Sequence, residues 1–311
     1  MTRAGKPRQL VESRHYGHLV VVGPDGRVIA ALGDHDHVTF LRSTAKPFQA
    51  AASLELAGDA DLPAALVAVG WSSHRAEPAQ LQAVRELLAR AGLSDDDLTT
   101  PPAEPADEPT QQPSRLAHNC SGKHALFALA GKAIGCPRRL VLDPDGPVQR
   151  AVLTTLAQAV GPLVAVSVDG CGAPAVAASL VGLARGYAAL AAPQSRWARI
   201  ADTGRAHPDL VGGKGRLESE LLKAGIVAKP GAEGVFAAGW TASDGGVRAA
   251  ALKITDGASR GSSTALHGLL AAAGLVGEEA WSPPPVLGGG RSVGGVVATR
   301  AVTALGAALR V

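Results

Sequence analysis

Strand-forming patterns lie towards both ends of this chain, and the stretch between them is written mainly for helices. That order limits how the chain can close on itself. Residues 18–22 and 28–32, joined by the turn Pro24-Asp25-Gly26, predict a β-hairpin, and residues 38–41 predict a third short strand. Residues 247–254 and 292–298 predict strands near the other end, with a helix over 263–273 between them. In the middle, Pro78 opens a helix through about residue 91 with Leu81, Val84, Leu87 and Leu88 on one face. Further helices are predicted over 122–133, 148–160 and 175–190, with a buried strand over 163–168. Strands from both ends around a helical middle region predict an α+β fold whose antiparallel sheet is closed by the two chain ends. Residues 99–113 hold five prolines and read as a surface loop. No internal repeat divides the chain, so residues 1–311 are expected to form a single domain.

The core must be built from small side chains. Of the residues 46% are hydrophobic and 18% charged, but only 3% are aromatic. Ala, Val and Leu must therefore fill the interior, with elements approaching closely at some of the 38 glycines. So few aromatics leave little to stack on bases, and the net charge of +3 comes from scattered residues, so neither DNA nor RNA is an expected partner. No apolar run follows the basic residues of the amino terminus, and no stretch of 18 apolar residues runs uninterrupted. Neither a secretion signal nor a membrane span is expected, and the expected location is the cytoplasm. Cys120, Cys136 and Cys171 are an odd set that argues against a disulfide framework, and Cys136 reads as a small core residue.

Only eight of the 30 basic residues are lysine, leaving 30 − 8 = 22 arginines. Arginine keeps its proton in a protein, whereas a buried lysine can lose it and act as a base. Lys46, Lys123 and Lys253 sit among small or apolar neighbours and draw attention on that ground; the others, Lys229 among them, read as solvated.

Several segments combine the residue types that chemistry needs. In Arg42-Ser43-Thr44-Ala45-Lys46-Pro47 the serine and lysine stand three apart, so one helical turn would put amine beside hydroxyl. The same segment would also serve as a helix cap, with Ser43 capping and the lysine solvated. Trp71-Ser72-Ser73-His74 before Glu77-Pro78 offers a hydroxyl and a proton carrier, or again a cap. His118-Asn119-Cys120-Ser121-Gly122-Lys123-His124 stands at a predicted loop-to-helix junction, where free amides can hold a carboxylate or an oxyanion. It gathers more reactive side chains than capping requires. Asp169-Gly170-Cys171-Gly172-Ala173-Pro174 reads equally as a ligand-approaching loop and as a tight turn. Lys253 on a strand of aliphatic residues either points outwards or lies in a site. His35-Asp36-His37 reads as a solvated loop rather than a chelate.

Taken in order, Ser43-Thr44-Ala45-Lys46-Pro47, Ser73-His74, Asn119-Cys120-Ser121-Gly122-Lys123-His124, Asp169-Gly170-Cys171-Gly172 and Gly231-Ala232-Glu233-Gly234 resemble the bacterial asparaginase II family. This is the group similar to the thermolabile rhizobial-type L-asparaginase and distinct from the threonine-nucleophile asparaginases. The weaker match of Val11-Glu12-Ser13-Arg14-His15-Tyr16-Gly17 agrees with it. The resemblance implies a fold similar to serine β-lactamases and glutaminases, a homodimer, and hydrolysis of L-asparagine to aspartate and ammonia. It also implies two serine–lysine tandems, Ser43 with Lys46 and Ser73 with Lys253, and a zinc site of Cys120, Lys123 and Cys171. Arg42, Asn119, His124 and Asp169 are the candidates for holding substrate. Gly146 departs from the histidine usual before the proline of Gly146-Pro147-Val148-Gln149, and Trp71 and the proline-rich loop are further departures. The expected activity is that of a serine–lysine L-asparaginase; the alternatives are a glutaminase, a penicillin-recognising hydrolase, or a zinc or amino-acid binding protein without turnover.

Overall fold

A computed structural model describes residues 10–59, 61–106 and 112–310. β1 (Gly17–Val22), β2 (Val28–Leu32) and β3 (Val38–Phe40) lead through a 3-10 turn over Arg42–Ala45 into α1 (Lys46–Ala57), α2 (Ala64–Gly70), α3 (Pro78–Arg90), α4 (Ser121–Ala133) and α5 (Pro147–Val160). Next come β4 (Ala165–Val168) and β5 (Pro174–Ser179), then α6 (Leu180–Ala191), α7 (Ala198–Ala206), α8 (Pro208–Val211) and α9 (Leu217–Lys223). The chain ends with β6 (Val227–Pro230), β7 (Val235–Thr241), β8 (Val247–Ile254), α10 (Ser259–Ala272), β9 (Val286–Gly288), β10 (Arg291–Gly294) and α11 (Arg300–Ala308).

The fold is α+β, and its main sheet is antiparallel in the order β2-β1-β8-β7-β6. Strands from the two ends of the chain meet at the β1–β8 pair, where Val20 stands opposite Ala251. Both faces are covered, so the strands read as near-continuous apolar runs instead of alternating. Val20, Val22, Val235, Ala237, Ala249 and Ala251 join the larger core with the helices from α1 to α6. Leu19, Val21, Phe236, Ala250 and Leu252 face the other way, against Leu217 and Leu221 of α9 and Leu266, Leu269 and Leu270 of α10. The small residues let helices lie directly on strands: a Cβ at Gly239 of β7 would meet the Tyr187 carbonyl of α6 at 2.3 Å.

Several expectations change in three dimensions. The segment 175–190 is not one helix: Pro174–Ser179 is a strand, held between β3 and β4 in a second sheet of order β3-β5-β4, and only from Leu180 does α6 run. Its alanines suit either state, and pairing on both sides decides. Of the strand expected to be buried at 163–168, β4 is an edge exposed at all four of its residues, while Leu163 packs partly buried against the larger core. The last predicted strand, 292–298, does not close the main sheet; β10 pairs only with β9 in a separate two-stranded ribbon. In the proline-rich loop, residues 107–111, Pro109 among them, lie outside the described residues, as do residues 1–9 of the amino terminus. Among the described residues no helix is long and apolar enough to cross a membrane.

Candidate active site

Among the described residues three lysines are buried, Lys46, Lys123 and Lys229, and the first of them joins the sequence segments. Lys46, the first residue of α1, is buried, and its amine lies 2.6 Å from the Ser72 carbonyl, 3.2 Å from the Asn119 carbonyl and 3.1 Å from Ser73 Oγ. This contact joins the first three sequence segments. A neutral amine has two N–H donors and one lone pair. The two carbonyls can take the donors, which turns the lone pair towards the Ser73 hydroxyl. Burial lowers the Lys46 pKa, as does the nearby Lys123 charge, against an opposing influence from Cys120.

The Ser72–Ser73 strip is placed by close packing at a glycine. At Gly122, in the first turn of α4, an added Cβ would meet the Val69 carbonyl at 2.1 Å. The end of α2 therefore rests on the start of α4, and the chain leaves α2 directly into Trp71, Ser72 and Ser73. Trp71 is buried and its indole N–H donates to Thr203 Oγ1 at 3.3 Å. His74 accepts the Ala76 amide on Nδ1, so its proton is on Nε2, which donates to Ser121 Oγ at 2.7 Å. Burial first, then the Lys46 charge, push its pKa down to about 3, which keeps it neutral. Glu77, with Gln80, forms the capping box of α3.

Ser43 does not cap α1. It lies in the 3-10 turn, and among the described residues no group hydrogen-bonds its hydroxyl. The turn is held firmly: Leu41 N–H donates to the Val176 carbonyl, Thr44 Oγ1 to the Leu41 carbonyl at 2.6 Å, and the buried Tyr187 phenol to the Thr44 carbonyl at 2.9 Å. These contacts hold Arg42 at φ 51°, a left-handed conformation that costs a side-chain-bearing residue about 1 kcal/mol or more. The same turn is braced by the Gly231-Ala232-Glu233-Gly234 segment, where a Cβ at Gly231 would meet Leu41 O at 3.1 Å and Arg42 Cβ at 3.2 Å.

Arg42 pairs with Asp169 at 3.1 Å, joining the first segment to the fourth. The third and fourth meet again where the Lys123 amine donates to Cys171 Sγ at 3.1 Å. Burial opposes the charge on Lys123, but the Cys120 and Cys171 sulfurs outweigh it and raise the pKa. A hydrogen bond from the Cys171 thiol lowers Cys120 well below the ordinary thiol value, and the same bond raises Cys171. Two sulfurs and an amine gathered in this way, with the amine on Cys171 and Cys171 on Cys120, are a donor set suited to zinc, although lysine is a rare ligand. Among the described residues no group of three or more His, Cys, Asp and Glu side chains is placed to hold a metal; here the third donor is an amine. His124 accepts or shares the Thr99 hydroxyl proton at Nδ1, 2.6 Å, and its buried Nε2 has no partner; burial, then Lys123, hold its pKa well below the ordinary value. Asn119 enters through its backbone carbonyl, its side chain being exposed.

The structure does not bring Lys253 to Ser73. Its amine donates to the Ile254 carbonyl and lies in the field of Glu233 and Asp256. Besides Lys123, a further lysine near Lys46 is Lys229 of β6, read from sequence as solvated. It is fully buried on the strand face shared with Val227, its amine has no hydrogen-bond partner, and burial, then the charge of Lys46, push its pKa down to about 7. The sequence held one signal for it, its place at the end of Ile226-Val227-Ala228 and just before Gly231-Ala232-Glu233-Gly234. At Gly146 a Cβ would meet the Leu140 carbonyl at 2.2 Å, so the loop before α5 is folded tightly around that glycine.

The L-asparaginase II family model matches residues 6–298. The chain belongs to the L-asparaginase II family. Its motifs, spread from Ser43 to Gly234, are thus segments that this structure gathers around Lys46 and the Arg42 turn. Among solved structures, Mglu in its native form is similar at 16% identity and a TM-score of 0.35, covering 82% of this chain and 63% of that one. Mglu in the presence of 4.3 M NaCl matches at 16% identity and a TM-score of 0.35, covering 79% and 58%. The chain thus spans about three-fifths of the length of those structures. No curated protein matches it.

Proposed function

We propose that this L-asparaginase II family member hydrolyses the side-chain amide of L-asparagine to L-aspartate and ammonia through an acyl-enzyme on Ser43. The observation that carries the reading is the buried Lys46 amine, held by two carbonyls with its third position on Ser73 Oγ. Such an amine is a base kept ready inside the protein. Ser43 follows the strained Arg42 and has an unengaged hydroxyl, so its oxygen is free to attack the amide carbon. Its proton goes to the Ser73–Lys46 pair, and backbone amides at the turn favour the developing oxyanion. Collapse of the tetrahedral species breaks the C–N bond, with the proton returned to the departing nitrogen. Water then adds to the ester, regenerates the Ser43 hydroxyl and releases aspartate. The Arg42–Asp169 pair offers one charge for the α-carboxylate and one for the α-amine. Burial and the charge of Lys123 weaken the hold of Lys46 on its proton.

Cys120, Cys171 and Lys123 would hold a zinc ion, which when bound supplies a fixed positive charge, keeps the sulfurs as thiolates and favours the neutral amine.

Ammonia release is to be measured with L-asparagine and L-glutamine side by side. Asparagine turnover well above glutamine is expected; no release from either sinks the reading. Ser43→Ala should lower kcat by at least about a thousandfold, since loss of a nucleophile costs orders of magnitude. The direct contact with Lys46 favours a second reading in which Ser73 attacks. Acid quenching during turnover and peptide mapping separates them: the acyl mass belongs on the peptide holding Ser43, and its appearance on the Ser73 peptide would replace the first reading by the second.

A further inference from the structure

Two histidines that the reaction leaves idle lie stacked at the start of the segment that carries Ser43. His18 of β1 and His37, just before β3, have ring centroids 4.2 Å apart and planes 16° from parallel. Alternation along β1 puts His18 on the face of Val20, which belongs to the larger core. His18 Nδ1 accepts the Asp34 N–H at 2.9 Å. Gly33, at φ 73°, lets the chain pass so closely, since a Cβ there would meet that nitrogen at 2.8 Å. The turn over residues 33–37 is thus fastened to β1 through one imidazole nitrogen. Its His35 and His37 carbonyls also accept the Val181 and Leu180 amides at the start of α6, at 3.0 and 2.9 Å. β3 follows at once and leads into the 3-10 turn of Arg42–Ala45.

The stack has no good place for an extra proton. With Nδ1 accepting, neutral His18 carries its proton on Nε2, so a second one can go only to Nδ1, where it displaces the Asp34 N–H. A charge on His37 would lie against the face of the other ring, with Lys253, the cross-strand neighbour of His18, on the same side of the sheet. Burial first, then His18, hold the His37 pKa below the ordinary value; Asp34 opposes this and Lys253 adds to it. The other charges of the turn, His35 and Asp36, pair with each other at 3.2 Å, and the first turn of α6 brings none. We propose that the His18–His37 stack is an acid-operated release: proton uptake by the two rings frees the turn at 33–37 from β1, and with it β3 and the Ser43 turn, so that mild acid switches the protein off. The loss of turnover rests on the acyl-enzyme reading of Ser43; the release itself does not.

The test follows hydrogen exchange of peptides covering residues 33–45, corrected for the intrinsic rate, at about one pH unit above and one below the ordinary histidine pKa of 6.5. Ammonia release from L-asparagine is measured under the same two conditions. In the unaltered protein exchange of this segment should rise in acid by up to about tenfold for each proton taken up, and turnover should fall with it and return on neutralisation. His18→Asn sets an oxygen where Nδ1 stood and so keeps the Asp34 bond, while His37→Phe keeps a ring on the stack; neither new side chain takes a proton. The double variant should match the parent above the histidine range and show neither change below it. A parent whose segment stays protected in acid, or a double variant that opens as the parent does, would overturn the proposal. Opening in the parent without ammonia release under either condition would uphold the release and overturn the reading of Ser43 instead. Should the double variant fail to fold, His18→Asn alone decides, and an acid rise in exchange equal to the parent's would overturn the proposal.

Discussion

Lys229→Met exposes what a buried amine costs this fold. Lys229 has no hydrogen-bond partner and no access to water, and its pKa falls from the ordinary 10.5 to about 7, chiefly through burial and then through repulsion from Lys46. At 1.36 kcal/mol per unit that gap is worth roughly 5 kcal/mol against the folded state when the amine is charged in both states. The sign follows from the proton count. Above 10.5 the amine is neutral folded and unfolded, and no penalty exists. As pH falls towards 7 only the unfolded chain takes up the proton, so the folded state loses ground; below about 7 the penalty is complete. At pH 7 it amounts to about 4 kcal/mol and at pH 9 to about 2 kcal/mol. Methionine fills a similar volume without a charge, and volume-conserving exchanges cost little by packing. Lys229→Met should therefore be more stable than the parent in urea unfolding at pH 7, by about 4 kcal/mol, with the gap halving by pH 9. Asparagine turnover should fall at the same time, which would mark a group kept at the expense of stability. A gap that does not change with pH, or a variant less stable at both values, would refute the reasoning.

Gly122→Ala should destabilise by about 1–3 kcal/mol in the same assay, because the new methyl meets the Val69 carbonyl and must push α2 from α4; unchanged stability would mean that the contact gives way easily. Tyr187→Phe removes a hydrogen bond to the buried Thr44 carbonyl and should cost about 1–3 kcal/mol and lower kcat more than it raises KM, since it loosens the Ser43 turn rather than a binding contact. Cys171→Ser should reduce the zinc content of purified protein, measured by elemental mass spectrometry, well below the parent's; equal content in both would remove Cys171 from the ligand set.

How much of this was legible in the sequence can be judged segment by segment. Val28–Leu32 and Val247–Ile254 are strands with the limits their patterns predict, because β-branched and aliphatic runs bounded by turn residues permit little else. Residues 174–179 misled because alanine accepts both states, and pairing between β3 and β4 made the choice. The segments that gather at the site each stood out by residue type, and Lys46 drew attention for being a lysine in an arginine-rich chain. Which partner it meets did not follow: spacing suggested Ser43, three residues away, and the fold delivers Ser73 and the Asn119 carbonyl, 27 and 73 residues distant.

The sequence by itself determined the α+β order of elements, the small-residue core and the identity of the reactive segments, since these rest on local propensity, composition and side-chain chemistry. Only the tertiary structure decided which lysine is buried. Lys253 and Lys229 both follow apolar residues on neighbouring parts of one sheet, and their sequences promise nothing different. Lys253 finds the Ile254 carbonyl and the field of two acids, whereas Lys229 is sealed under the helices beside Lys46. An amine's pKa depends on the water and charge around it, and those are supplied by chain segments far away in sequence.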